Sequence, residues 1–270
     1  MNSPARPLVV FGGGALGGAV ARLAAGRGVP VIVASRRMGD HPGWWRPTDV
    51  GSTEPVQWLP SKADVVVAIS PGPREAPERA WGARLSEWLD RLQGLRPASV
   101  LLAGPAGEGD GGLDTFCETA WRAGQAGIAV LRFPALLAMD HHWAGGIAAT
   151  LRSGRAARVS SSLPTARALA ADDAARAVLA CLGSNDDLLL TGPDRVEPEA
   201  VLEALAERFG IEPKTSIFAA RLDRNTRARL DAQARFADRW DDARFGARLS
   251  VQEWAARLPG PRRRRGTFPT

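Results

Sequence analysis

The chain has 270 residues, enough to bury a full core as one large α/β domain or as one domain with a small lobe. Hydrophobic residues make up 45% and charged residues 24%, the balance of an ordinary globular protein, and no apolar run approaches the ~20 residues that span a bilayer. The net charge of +6 comes almost wholly from arginine spread among acids, with Lys62 and Lys214 the only lysines, so it describes a compositional bias and not a nucleic-acid face. The dense cluster at residues 262–265 reads as a solvated basic tail over residues 259–270. Cys117 and Cys181 make no disulfide framework, and no spacing suggests a metal site. The first residues lack the pattern of a signal peptide, so the expected location is the cytoplasm.

Residues 8–11, Leu-Val-Val-Phe, read as a buried strand. Gly12, Gly14 and Gly17 then fit G-x-G-x-x-G, and a helix of small and apolar residues follows from Ala15. In that context the first glycine makes a tight turn and the second lets backbone approach a pyrophosphate. The third brings helix and strand together, and the helix N-terminus offers N–H groups to phosphate charge. Gly12, Gly14, Ala15, Leu16 and Gly17 are therefore the expected pyrophosphate loop of a nucleotide cofactor.

Further strands are expected at residues 29–34, 63–69, 99–103 and 128–132, with helices at 79–92 and 114–125 between them and a loop carrying Trp44 and Trp45. These strands are apolar without alternation, as in strands covered on both faces. Strand–helix alternation of this kind predicts a doubly wound parallel sheet of Rossmann type. Beyond it, helices are expected at 140–155, 172–182 and 198–209, a strand with a turn at 188–193, and a long Arg- and Asp-rich helix at 223–244. The expected organisation is one domain over residues 1–258, with a small C-terminal substrate lobe from about residue 185.

In this order the segments resemble the atypical or extended short-chain dehydrogenases/reductases, of the NmrA-like and sugar-epimerase-like kind, over about residues 7–258. The resemblance rests on the glycine loop, on Ser35-Arg36-Arg37 ending the second strand, and on Thr48-Asp49-Val50 in the place of the motif that lines the adenine. Ser70-Pro71-Gly72 resembles the loop under the nicotinamide ribose, and the segment from Ala129 to Phe133 and Pro134 resembles the strand ending in Leu-Arg-Pro. Glu118, the segment from Ala171 to Ala177 and the segment from Leu190 to Pro193 complete the match. What the resemblance implies is cofactor contacts at Ser35, Arg36, Arg37, Asp49, Val50, Ser70, Pro71 and Phe133.

At the end of the second strand, NAD-preferring folds place an acid that accepts from the ribose 2′-OH. Here Ser35, Arg36 and Arg37 stand there, and a guanidinium pairs with a 2′-phosphate that a carboxylate would repel. NADP(H) is therefore expected over NAD(H). The family's reduction uses a tyrosine acid with a lysine four residues later. This chain has no tyrosine at all, and its two lysines are elsewhere, which excludes that mechanism. Proton-transfer candidates are Asp110, Asp114, His141 and His142, with Ser70 and Asp140 nearby. The histidine pair reads equally as a solvated loop or a helix start. Three functions stay open: hydride transfer with another acid, cofactor sensing without chemistry, or a non-redox isomerisation or cyclisation.

Nine tryptophans and eight phenylalanines accompany the missing tyrosine, and most are expected in the core. Trp143 and Phe245 are candidates for an apolar substrate wall, which would favour a hydrophobic small molecule. The expected partners are a small-molecule substrate and, at most, a second copy of the chain; no nucleic acid and no membrane are expected.

Overall fold

The computed structural model describes residues 6–50, 56–68, 78–105, 122–125, 127–133, 136–139, 142–153, 157–160, 167–212, 215–218 and 238–259. The main sheet contains β1 (Leu8–Phe11), β2 (Val31–Ser35), β3 (Trp44–Pro47), β4 (Asp64–Ala68), β5 (Ser99–Pro105), β6 (Ala129–Phe133) and β10 (Asp187–Leu189). All seven strands are parallel, in the order β10-β6-β5-β4-β1-β2-β3. Chain order reverses between β1 and β4, so the crevice at their carboxyl ends is the topological switch point where such sheets bind ligands.

The absence of polar alternation in the strands has a direct cause. Val10, Val33, Val66, Leu101 and Leu131 are buried on one face beneath α1 (Ala15–Gly26). Val9, Phe11, Ala34, Val65, Val67, Leu102 and Val130 are buried on the other with Leu85, Trp88, Leu89 and Leu92 of α2 (Glu78–Gly94). Alternate residues of each strand thus serve opposite faces, and both faces must be apolar. Trp88 meets Phe11 edge-on, with ring centroids 4.7 Å apart. On the first face α1 packs against a helix of the second half, α4 (Ala171–Ala180), through Ala174, Ala175, Ala177 and Val178.

The lobe has its own core. Leu137, Ala144, Ala148 and Leu151 come from around α3 (His142–Arg152), and Val201, Leu202, Leu205 and Phe209 from α5 (Pro198–Phe209). Val251, Trp254 and Ala255 are supplied by α7 (Val251–Arg257). The lobe core therefore draws on residues well before 185. Two small parallel pairs complete the fold: β7 (Leu136–Leu137) with β9 (Leu169–Ala170), and β8 (Ala157–Ser160) with β11 (Thr215–Phe218). Among the described residues, no helix is long and apolar enough to cross a membrane.

Two expectations change. Trp44 and Trp45 lie in strand β3 on the sheet edge, paired with Ile32 and Val33, and not in a loop. Their flanking Pro and Gly suggested a loop, but bulky aromatic residues suit an exposed edge strand. The long helix expected at 223–244 does not continue through its described part. Residues 238–241 are irregular, and only α6 (Asp242–Phe245) is helical. Aspartate side chains compete here for the backbone N–H groups that a helix would use. Asp238 accepts from the N–H groups of Thr191 (3.0 Å) and Trp240 (3.2 Å). Asp241 caps α6 by accepting from the Ala243 N–H at 2.9 Å. Residues 221–237 lie outside the described residues.

These aspartates belong to a latch. The fully buried Asp173 carboxylate of α4 accepts from Arg176 at 2.6 Å and from the Leu249 N–H at 2.7 Å. Arg176 also donates to the carbonyls of Phe245 and Ala247, each at 2.7 Å. Arg248 joins Asp238 and lies over the Trp240 ring. Cys181, at the end of α4, is a core residue as expected, and burial pushes its thiol up to about 12, which removes it as a thiolate. Replacing Asp173 with Ala strands Arg176 and the Leu249 N–H, and should lower stability by about 2–4 kcal/mol in urea unfolding. A loss below 0.5 kcal/mol, on the order of a surface change, would contradict the latch.

Candidate cofactor site

At the carboxyl end of β1 the chain must reverse into α1 in three residues. Gly12 takes φ +106°, a conformation that side chains rarely adopt, while its N–H stays in register by donating to the Ala34 carbonyl at 2.8 Å. A Cβ on Gly17 would stand 1.8 Å from the Gly12 carbonyl oxygen, so helix and turn touch backbone to backbone. A Cβ on Gly14 would meet nothing within 4 Å. Gly14 also begins α1 with no side-chain cap and no acid in the first turn. The glycines thus divide their work: Gly12 turns, Gly17 packs, and Gly14 leaves open space before an uncapped, partly positive helix end.

The end of β2 closes one side of this space. Ser35 Oγ is 3.0 Å from the Cβ position of Gly13; it donates to the Arg37 carbonyl at 2.7 Å and accepts from Trp45 Nε1 at 3.2 Å. Ser35 is therefore buried scaffold that shapes the turn carrying Arg36 and Arg37, whose side chains are exposed. Asp40 and Asp49 are exposed, and Val50 is half-buried against the core under α2. Phe133, at the end of β6, is buried in the core.

One residue that sequence reading missed stands in this corner. His41 Nε2 is 3.6 Å from the Gly13 Cβ position, and its Cδ2 is 3.0 Å from that of Gly39. Both ring nitrogens are buried without a hydrogen-bond partner, and so is the hydroxyl of Thr48. A buried polar atom left unpaired costs about 1–3 kcal/mol, so an uncompensated group marks a place where a ligand or water completes the bonding. Nothing near His41 in sequence signals this; its place follows from two glycines that make room for the ring.

Of the proton-transfer candidates, Asp110, Asp114, Asp140 and His141 lie outside the described residues, as do Ser70, Pro71 and Glu118. His142 and Trp143 open α3, which places them in the lobe. Phe245 packs in the core with its ring 5.2 Å from Trp240, which accounts for its burial without a ligand. Lys62 sits just before β4 at φ +59°, at the amino end of the sheet, opposite the crevice. Lys214 lies outside the described residues.

By sequence, no family model and no curated protein matches the chain. Its structure is similar to solved ones. MoeE5 in complex with UDP-glucose and NAD aligns at TM-score 0.68 and 16% identity, covering 93% of this chain and 96% of that one. The enzyme WbmH from Bordetella bronchiseptica in complex with NAD+ aligns at 0.68 and 14%, covering 93% and 96%. UDP-N-acetylglucosamine 4-epimerase from Bacillus cereus aligns at 0.60 and 16%, covering 94% and 100%. The chain shares the fold of these structures, a parallel sheet of Rossmann type with helices on both faces. The residues present fit a dinucleotide on this structure's own terms: an open glycine turn, an uncapped helix end, and orphaned polar atoms beside them.

Gly17→Ala should destabilise the protein by about 2–3 kcal/mol in chemical denaturation, because its Cβ meets rigid backbone. A variant as stable as the parent would contradict the backbone contact.

Proposed function

We propose that the protein binds NADP(H) at the crevice above β1 and acts on a small molecule by chemistry that does not use the tyrosine–lysine pair. The observation that carries the cofactor is the open position at Gly14, in front of an uncapped helix end. Preference for NADP(H) is supported by Ser35, Arg36 and Arg37, which put two guanidinium groups and no carboxylate at the end of β2. MoeE5 and WbmH were solved with NAD, so the arginines are what separates this chain's expected cofactor from theirs.

A bound nicotinamide supplies reversible hydride exchange. The chain's own residues must bind and orient the dinucleotide and move protons at the substrate. For the second task we retain Asp110, Asp114, His141 and His142 as candidates. The substrate class is a small metabolite. MoeE5 was solved with a sugar nucleotide, and that class joins the hydrophobic one for this chain, because Phe245 is accounted for by core packing. A second reading, a cofactor-sensing protein without turnover, is favoured by one fact: the chain has no tyrosine.

Titration of the purified protein with NADPH and NADH tests the cofactor. NADPH should bind about tenfold tighter, and exchanging both Arg36 and Arg37 for Ala should remove that difference. Equal or better NADH binding by the parent would overturn the preference. Gly14→Ala should fold normally, since its Cβ meets nothing, yet weaken both cofactors by about tenfold or more by obstructing the pyrophosphate. Unchanged affinity would remove Gly14 from the site. Consumption of NADPH with a supplied small molecule would favour the enzyme over the sensor.

A further inference from the structure

Among the described residues, the buried side-chain polar atoms without a hydrogen-bond partner are His41 Nδ1, His41 Nε2 and Thr48 Oγ1, and both residues are neighbours of Ser35 at the end of β2. The two residues reach that place from different segments. Thr48 follows edge strand β3, and its N–H donates to the Ser35 carbonyl at 3.1 Å. His41 lies against Gly13, on the same space that Ser35 Oγ bounds. The Ser35 hydroxyl is already engaged with Arg37 and Trp45.

We propose that His41 and Thr48 hold the adenosine ribose of the dinucleotide at its 3′-hydroxyl, beside a β2 end that carries arginines and no acid. The proposal rests on the dinucleotide reading above and assigns residues that this reading leaves unused. A ribose hydroxyl both donates and accepts. An imidazole offers an N–H donor on one nitrogen and a lone pair on the other, and a threonine hydroxyl offers both. The orphaned set is thus a match in kind for a sugar hydroxyl. Residues 35–37 hold no carboxylate, and the imidazole supplies an acceptor for the free 3′-hydroxyl, which both NAD(H) and NADP(H) carry. Its place is prepared: a Cβ on Gly39 would stand 3.0 Å from His41 Cδ2, so glycine at 39 leaves room for the ring. Thr48 is more than nine-tenths buried, which fixes its hydroxyl in the same way.

This division of labour has a measurable signature. The 3′-hydroxyl of that ribose is common to NADH and NADPH, whereas Arg36 and Arg37 act only on the 2′-phosphate. Calorimetric titration of the full chain and its variants with both cofactors reads it out. His41→Ala should weaken NADPH and NADH alike, by about tenfold each, and Thr48→Val by about threefold each. His41→Gln, which keeps a donor and an acceptor, should recover most of the loss. Melting followed by circular dichroism separates lost binding from lost folding, and the isosteric Thr48→Val keeps the test sound if His41→Ala unfolds. Unchanged affinities overturn the assignment of the residue concerned. A loss confined to NADPH overturns it too, because His41 would then read the phosphate. If the unaltered protein binds neither dinucleotide, the cofactor reading itself falls, which is distinct from binding that survives in every variant.

Discussion

The contact on which the site depends is made by an atom that is missing. With no Cβ at Gly17, the first turn of α1 lies against the Gly12 carbonyl at a distance no side chain would permit. That contact sets how close α1 sits to β1, and so where the helix end points. It also lets Leu16, Ala19 and Val20 reach the apolar face of the sheet while the uncapped end faces the crevice. The strand before the turn is held equally firmly, because all four residues of β1 are buried and paired on both sides. A ligand site made of backbone needs such support, since backbone groups cannot reorient as side chains do.

The second constraint runs from that helix to the lobe. α1 rests on α4, and α4 carries Asp173 and Arg176. Their buried pair reaches residues 245–249, between α6 and α7, and Arg248 returns to Asp238 and the Thr191 carbonyl. A charged group inside a protein is tolerable only when its bonds are complete, and here they are completed by main chain from the C-terminal segment. One chain of contacts thus leads from the glycine turn to the lobe, so the position of the lobe core is referred to the crevice above β1 through α1 and α4. Part of the sequence's arginine is engaged within the fold in the same way. Arg132, Arg176, Arg244 and Arg248 all hold aspartates.

The sheet was legible in the sequence because its strands are covered on both faces and sit among strong turn signals. The runs at 8–11, 99–103 and 128–132 announce themselves by apolarity alone. β3 was not legible for the opposite reason: Trp44, Arg46 and Pro47 are exposed on an edge, and nothing in their polarity separates them from a loop. The breakdown of the helix expected at 223–244 near its end depends on where Asp238 and Asp241 find N–H groups, one of which belongs to Thr191. That partner is distant in sequence, and no local pattern reports it. In the site, the glycines were readable because their roles are local. His41 was not, since its significance is a lack of partners, and a lack of partners exists only once the fold has excluded water.

The same geometry bears on what the chain would do with the dinucleotide proposed above. In the function proposed above, backbone and a few side chains hold the dinucleotide, and proton chemistry is supplied separately. Here the glycine turn for the first task is present, while for the second the chain has no tyrosine, and Lys62 is its one lysine among the described residues. Lys62 caps the amino end of β4, at the edge of the sheet opposite the crevice. No repacking of one loop carries it across the sheet. An open Gly14, the glycine contact and unpaired polar atoms on His41 and Thr48 around the end of β2 are more than a scaffold needs for stability, since those orphaned atoms cost stability until a ligand or water completes them. The cost is rational only if this region binds something, and that is the physical reason to look for a ligand-dependent role in this chain and not for a fold kept merely for its shape.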